Sequence, residues 1–174
     1  GAGYQYEDTV IYGFSHTNKG HWNLLHLPVL PVTGNISSGD YASTYSHSNE
    51  SARPGYYQVF LERYGVNAEL TSTLRCAYHK YTFRPDDDKK VLVDITRTNN
   101  GVRDWSIQKV DNYTFSGNQD AEGNIRFYAV SNYKIEDIRQ LKDGEHEVSV
   151  VSFADSKGSK PLELKIGFSF VSID

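Results

Sequence analysis

The sequence predicts an all-β protein: an antiparallel β-sandwich with at most one short helix. Three observations carry this. Short apolar and aromatic runs recur at regular intervals between clusters of Gly, Pro, Asn and Asp. No long segment keeps a 3.6-residue apolar period. The aromatic load is high, with 13 Tyr and 8 Phe against no Met, and such a composition suits sheets.

In chain order, Tyr4 to Phe14 reads as a strand. Leu24 to Val32 is apolar, but Pro28 and Pro31 cannot donate to a ladder, so it is an edge strand or an extended segment. Thr33 to Ser43 is a loop. The polar run Ser46 to Glu50 leads into a turn at Arg53-Pro54-Gly55. Tyr56 to Glu62 and Val66 to Thr71 form a hairpin about Tyr64-Gly65, and Arg75 to Phe83 follows as a third strand. Here Ala68, Leu70, Leu74, Cys76 and Tyr78 share one parity, and Glu69, Thr71, Thr73, Arg75 and His79 the other. That alternation implies one core face and one polar face, with the lone Cys76 a small buried hydrophobe and Glu69 and Arg75 a structural charge pair.

Asp86-Asp87-Asp88 and the lysines after it make a solvated turn, without the ligand spacing of a calcium loop. Val91 to Thr96 and Trp105 to Phe115 are strands, Gly117 to Gly123 a loop, and Ile125 to Val130 a strand. Ile135 to Leu141 is the one plausible helical turn. Val148 to Ala154 and Leu162 to Ile173 are the last strands, split by Asp155 to Ser159. The chain of 174 residues reads as one domain, 1–174, with no repeat or internal boundary. It starts almost directly on a strand, which suggests that Gly1 is a cloning remnant and the rest an excised piece of something longer.

The net charge of −4 offers nothing to a phosphate backbone, so no nucleic acid partner is expected. No apolar run is long enough to span a membrane, and no signal peptide is seen. P-loop, dinucleotide and nucleophile-elbow patterns are absent. Nothing in the chain designates a pair of catalytic carboxylates, so no catalytic residue is assigned.

The most informative stretch is Ile11 to Asn23. Ser15, His16, Thr17, Asn18 and Lys19 each carry a donor or acceptor, and His21-Trp22-Asn23 sets an indole between polar groups. A flat aromatic beside fixed hydrogen-bonding groups suits a sugar, which has apolar C–H faces and hydroxyl edges. Ser15, His16, Thr17, Asn18, His21 and Trp22 are therefore the candidate substrate-binding residues. The competing reading makes this a surface loop of turn-capping groups, or Trp22 a core anchor. His16, His21 and His26 recur every five residues, which aligns them on neither a helix nor a strand, and no metal site is assigned.

Several separated motifs together resemble the N-terminal domain of glycoside hydrolase family 92. They are Tyr12-Gly13-Phe14-Ser15-His16-Thr17, Tyr45-Ser46-His47 with Glu50, Pro54-Gly55-Tyr56-Tyr57, Ala68 to Arg75, His79 to Phe83, and Lys165 to Ile173. The resemblance covers nearly the whole chain. It implies a sandwich of the supersandwich, galactose-mutarotase-like type, packed in the parent protein on a helical catalytic domain that is absent from this sequence. It also implies a calcium-dependent, exo-acting, inverting bacterial α-mannosidase, a mannose-containing glycan as substrate, and a periplasmic or cell-surface location. The carboxylates and the calcium ligands are implied to belong to the helical domain, so this chain alone is expected to be inactive. From Asn18 to His26 the chain departs from the family's usual continuation, which bears on linkage specificity. The alternatives are a freestanding carbohydrate-binding or lectin-like sandwich, which would bind sugar by itself, and a structural β-domain whose aromatics are all core.

Overall fold

A computed structural model of the protein describes residues 5–17, 26–96, 101–121, 123–143 and 146–171. The strands are β1 Val10–Ile11, β2 Val29–Val32, β3 Ser43–Thr44, β4 Glu50–Arg53, β5 Tyr56–Leu61, β6 Val66–Ser72 and β7 Cys76–Thr82. They continue with β8 Lys90–Val93, β9 Asp104–Lys109, β10 Thr114–Ala121, β11 Gly123–Ser131, β12 Ile135–Asp143, β13 His146–Phe153 and β14 Leu162–Ser169. Eight strands form one sheet in the order β4-β5-β6-β7-β14-β11-β10-β9, four form a second in the order β12-β13-β8-β2, and β1 pairs with β3. Every pairing among the described strands is antiparallel. One buried cluster takes Val59, Leu61, Tyr81, Phe127 and Ile166 from the large sheet and Leu30, Val91, Val93 and Val150 from the small one. The expected antiparallel β-sandwich is therefore the fold. Its one helical element among the described residues is a 3-10 turn, His47–Asn49.

β2 lies at the edge of the small sheet with Pro31 opposite Val91, where a residue without an N–H is tolerated. The long first strand is cut to β1 and an isolated bridge between Phe14 and Val29. Two segments read otherwise from sequence are strands. Ile135 to Leu141 lies in β12, not in a helical turn. A bulge between Ile135 and Asp137 sets Ile135 opposite Phe153 and Ile138 opposite Val151. Both isoleucines thus share one face at a spacing that imitates a helix. Gly117 to Ala121 continues β10, flanked by β9 and β11, rather than forming a loop. Gly117 is required there. A Cβ on it would lie 1.9 Å from the Ser106 carbonyl oxygen and 2.7 Å from the Phe127 ring.

The alternation along β6 and β7 is real, but its parity switches at the turn. Leu70 pairs with His79 and Ala68 with Tyr81, joining even positions of β6 to odd positions of β7. Ala77, His79 and Tyr81 are therefore on the core face, while Cys76 is exposed and Leu74 is 90% exposed at the tip. Glu69 pairs not with Arg75 but with Lys80, its cross-strand neighbour, at 2.9 Å, and accepts a hydrogen bond from the Tyr56 hydroxyl at 3.0 Å.

Candidate functional site

The first motif pairs by its main chain with β2, the edge strand of the small sheet. The N–H of Phe14 donates to the Val29 carbonyl at 2.9 Å, and the N–H of Val29 returns a bond to Phe14 at 3.1 Å. The N–H of His16 donates to the His26 carbonyl at 3.0 Å. The two ends of the segment between them are thus paired as a hairpin would be. Leu27 at its base has φ of 50°, a left-handed conformation costly for a side chain of that size. It is held there by Gln119 of β10, which is fully buried. The Gln119 carbonyl accepts the Leu27 N–H at 2.9 Å, and its amide donates to the Ile95 carbonyl. Replacing Gln119 by Leu would strand two buried backbone groups, and each is expected to cost roughly 1–3 kcal/mol. A fall in the urea midpoint with an unchanged slope checks this. An unchanged midpoint would mean that the amide holds nothing.

The Leu27 carbonyl fixes His16. It accepts a hydrogen bond from His16 Nδ1 at 2.7 Å, so the proton of the neutral ring sits on Nδ1 and Nε2 carries the lone pair. Burial holds the His16 pKa down to about 4, against a partial rise from the Leu27 bond, so the ring is neutral at pH 7. The ring stacks on His79 at 5.0 Å and meets Phe168 edge-on at 6.2 Å. His79 Nδ1 lies 2.5 Å from the Tyr81 hydroxyl. Burial first, then the proximity of His16, push the His79 pKa well below its ordinary value. His16 Nε2 is sheltered from solvent and has no hydrogen-bond partner. A bare acceptor in a wall of aromatic rings is an unusual thing for a fold to leave.

That wall belongs to a cavity of about 390 Å³, within the size range of small-molecule sites. Phe14, Ser15 and His16 line one side and Gly55, Tyr56 and Tyr57 another, with Leu70 to Leu74, Ala77 and His79 from the β6–β7 hairpin and Phe168 from β14 completing it. Five of the six separated sequence motifs therefore converge on one space. The sixth joins at its edge, where Glu50 accepts the Tyr57 hydroxyl at 2.6 Å.

Of the candidate binding residues, Ser15 and His16 line this cavity. Thr17 is half-buried beside it, with its hydroxyl 2.8 Å from His26 Nδ1. Asn18, His21 and Trp22 lie outside the described residues. His79, Tyr57 and Phe168 were not singled out from sequence as site residues. The signal that finds them is their place in the ordered motifs, not their individual chemistry. Among the described residues no three of His, Cys, Asp and Glu converge to hold a metal ion.

The profile of the glycosyl hydrolase family 92 N-terminal domain matches residues 1–169. The chain belongs to this family. Among solved structures it is similar to a family GH92 α-mannosidase of Bacteroides thetaiotaomicron, determined both alone and in complex with mannoimidazole. The identity is 26% and the TM-score 0.85, over 98% of this chain and 27% of that enzyme in the complex. An inverting GH92 mannosidase of the same organism shares 20% identity with a TM-score of 0.78, over 97% of this chain and 25% of that one, and shows the fold alone. No curated protein matches the chain. As a GH92 N-terminal domain, the chain spans about a quarter of the length of these solved relatives.

Proposed function

We propose that this chain is the substrate-recognition and accessory domain of an exo-acting, inverting α-mannosidase, and that alone it hydrolyses nothing. The observation that carries the reading is the convergence of the family's motifs on one cavity, with the neutral His16 ring in its wall. With a small shift of the ring, Nε2, sheltered in the ligand-free chain, would accept a sugar hydroxyl in the tautomer that the Leu27 carbonyl has already set. Phe14, Tyr57 and Phe168 supply apolar surface for the C–H face of a hexose. Ser15, Thr17, Asn18 and His21 would contact further hydroxyls, and Trp22 would offer a platform.

Inversion needs a general acid and a general base about 6.5–9.5 Å apart on opposite sides of the bond. Among the described residues no Asp or Glu lines the cavity. Both groups, and the calcium with its ligands, would come from the helical domain. The role of this chain is then to bind and orient the terminal sugar and to exclude water from its side of the site. A periplasmic or surface location in a bacterium accords with glycan degradation. No helix among the described residues is long and apolar enough to cross a membrane.

The test uses the parent enzyme with aryl α-mannosides and mannobioses. His16→Ala is expected to lower kcat/KM about 10–100-fold, the equivalent of one lost hydrogen bond in a sheltered site. Trp22→Ala is expected to lower kcat/KM with little change in melting temperature. A cost of about 3–5 kcal/mol in folding would instead return Trp22 to the core. Unchanged kcat/KM in both variants would remove this end of the sandwich from the active site. Release of mannose by the chain alone would overturn the division of labour, and tight binding of mannosides by the chain alone would favour a freestanding binding module.

A further inference from the structure

The imidazole of His79, in the middle of β7, lines the cavity while only 3% of the residue is exposed. Three rings hold it in place. His16 stacks on it at 5.0 Å with planes 9° apart, Phe14 meets it edge-on at 6.3 Å, and Tyr81 meets it edge-on at 5.7 Å. Tyr81 lies two residues on, hence on the same face of the strand, and is fully buried. Its hydroxyl is 2.5 Å from His79 Nδ1, and neither side chain makes another hydrogen bond among the described residues. Two placements of the protons agree with that distance, and burial decides between them. If Nδ1 donated, the phenol proton would be stranded out of reach of water, at a cost of about 1–3 kcal/mol. If the hydroxyl donates, the phenol is satisfied and the proton of the neutral ring sits on Nε2. Unlike Nε2 of His16, this nitrogen is not among the sheltered atoms, and the space beside the ring is the cavity.

We infer that His79 is a binding residue of the cavity that offers Nε2–H as a hydrogen-bond donor, so that the two stacked imidazoles present opposite polarity to one ligand: His16 accepts from one of its hydroxyls and His79 donates to another of its oxygens. For the identity of the ligand this rests on the function proposed above. The polarity follows from the two anchors. The Leu27 carbonyl accepts from Nδ1 of His16, whereas the Tyr81 hydroxyl donates to Nδ1 of His79, so the outer nitrogens carry a lone pair on one ring and a proton on the other. Two hydroxyls of one sugar have the matching chemistry, since each can donate or accept. An anion does not. It brings no proton for His16, burial holds both rings neutral, and no described residue lining the cavity is Asp, Glu, Lys or Arg. The ligand class that suits the pair is therefore a neutral polyol.

The experiment has two parts. In the ligand-free chain at pH 7, NMR correlations between the ring nitrogens and the carbon-bound ring protons report the tautomer of His79. A protonated Nε2 and a bare Nδ1 are expected, and the reverse tautomer would overturn the inference whether or not any variant folds. The second part uses the parent enzyme and the double variant His79→Phe/Tyr81→Phe. It removes both hydrogen-bonding partners and keeps an aromatic ring against His16, so it strands no buried group. Its affinity for methyl α-mannoside is expected to fall about 10-fold, the worth of one lost hydrogen bond. Tyr81→Phe alone keeps the imidazole and is expected to stay within about 2-fold of wild type, which separates loss of the donor from loss of the phenol. A merely structural His79 would change the melting temperature and leave the affinity where it was. Equal affinity in wild type and double variant, with binding lost in His16→Ala, would overturn this inference and leave the proposed function standing. A wild-type parent that binds no mannoside would overturn both.

Discussion

Between pH 6.5 and pH 4 the domain is expected to lose about 3 kcal/mol of stability through His16 alone. Burial lowers the pKa of this imidazole from 6.5 to about 4 in the folded chain. The unfolded chain therefore takes up the proton first as pH falls. The stabilising contribution is complete above 6.5 and is drawn down across the interval to about 4, at about 1.4 kcal/mol per unit. His79, stacked beneath it, is shifted in the same direction by burial and by His16 itself, so the two cannot both charge in place. At roughly 2–4 °C per kcal/mol for a chain of this size, the melting temperature should drop about 6–12 °C. Glu69, whose pKa is lowered chiefly by its bond to Lys80, loses its contribution only below the ordinary carboxylate range. The upper part of the fall therefore belongs to the histidines. Thermal melts of the wild type and His16→Gln at intervals of half a pH unit check this. The variant should show the shallower decline, and parallel curves would mean that His16 is not held neutral by burial.

Gly117→Ala should be the most damaging single methyl group that can be added to the large sheet, at about 3 kcal/mol. Gly117 sits in β10 opposite Ile107 on one side and Phe127 on the other. Its Cβ would fall 1.9 Å from the backbone oxygen of Ser106, which cannot turn aside as a flexible side chain does. Relief requires β9 to separate from β10 or the fully buried Phe127 ring to move within the core. Gly167→Ala is the control, because the nearest atom to its added Cβ is Cys76 Sγ at 3.9 Å in the same sheet. Urea unfolding should separate the two by about 2 kcal/mol or more. Equal midpoints would mean that the β9–β10 ladder yields easily. β10 also carries Gln119, so the first variant should disturb the His16 ring signals as well, while the control leaves them in place.

What the chain revealed in advance followed local pattern, and what it hid depended on pairing. The β5–β6–β7 meander was legible because turn residues bracket runs of period two. The face on which His79 falls was not, because that depends on the register across the turn, and the Leu70–His79 pair is a property of two strands. Reading one continuous parity through the tip put Cys76 inside and His79 outside, the reverse of their places. β12 was hidden by its bulge, which borrows helical spacing for Ile135 and Ile138. β10 was hidden by Gly117, Asn118 and Asp120, turn formers in most contexts, held extended by strands on both sides. At the site, His16 stood out for its chemistry. Its neighbours from β5, β7 and β14 come from up to about 150 residues away along the chain, and only the ordered family motifs pointed to them.

The backbone pairing of Phe14 with Val29 and of His16 with His26 has a meaning for how such proteins diverge. The ends of the intervening stretch are fixed by main-chain bonds and by Gln119, and none of these depends on which side chains lie between them. Doubling the length of a stretch closed in this way costs only about 0.6 kcal/mol of closure entropy. Closure at residues 17 and 26 therefore sets no narrow limit on the number of residues between them, and a relative with a longer connection at this point could keep the same main-chain pairs.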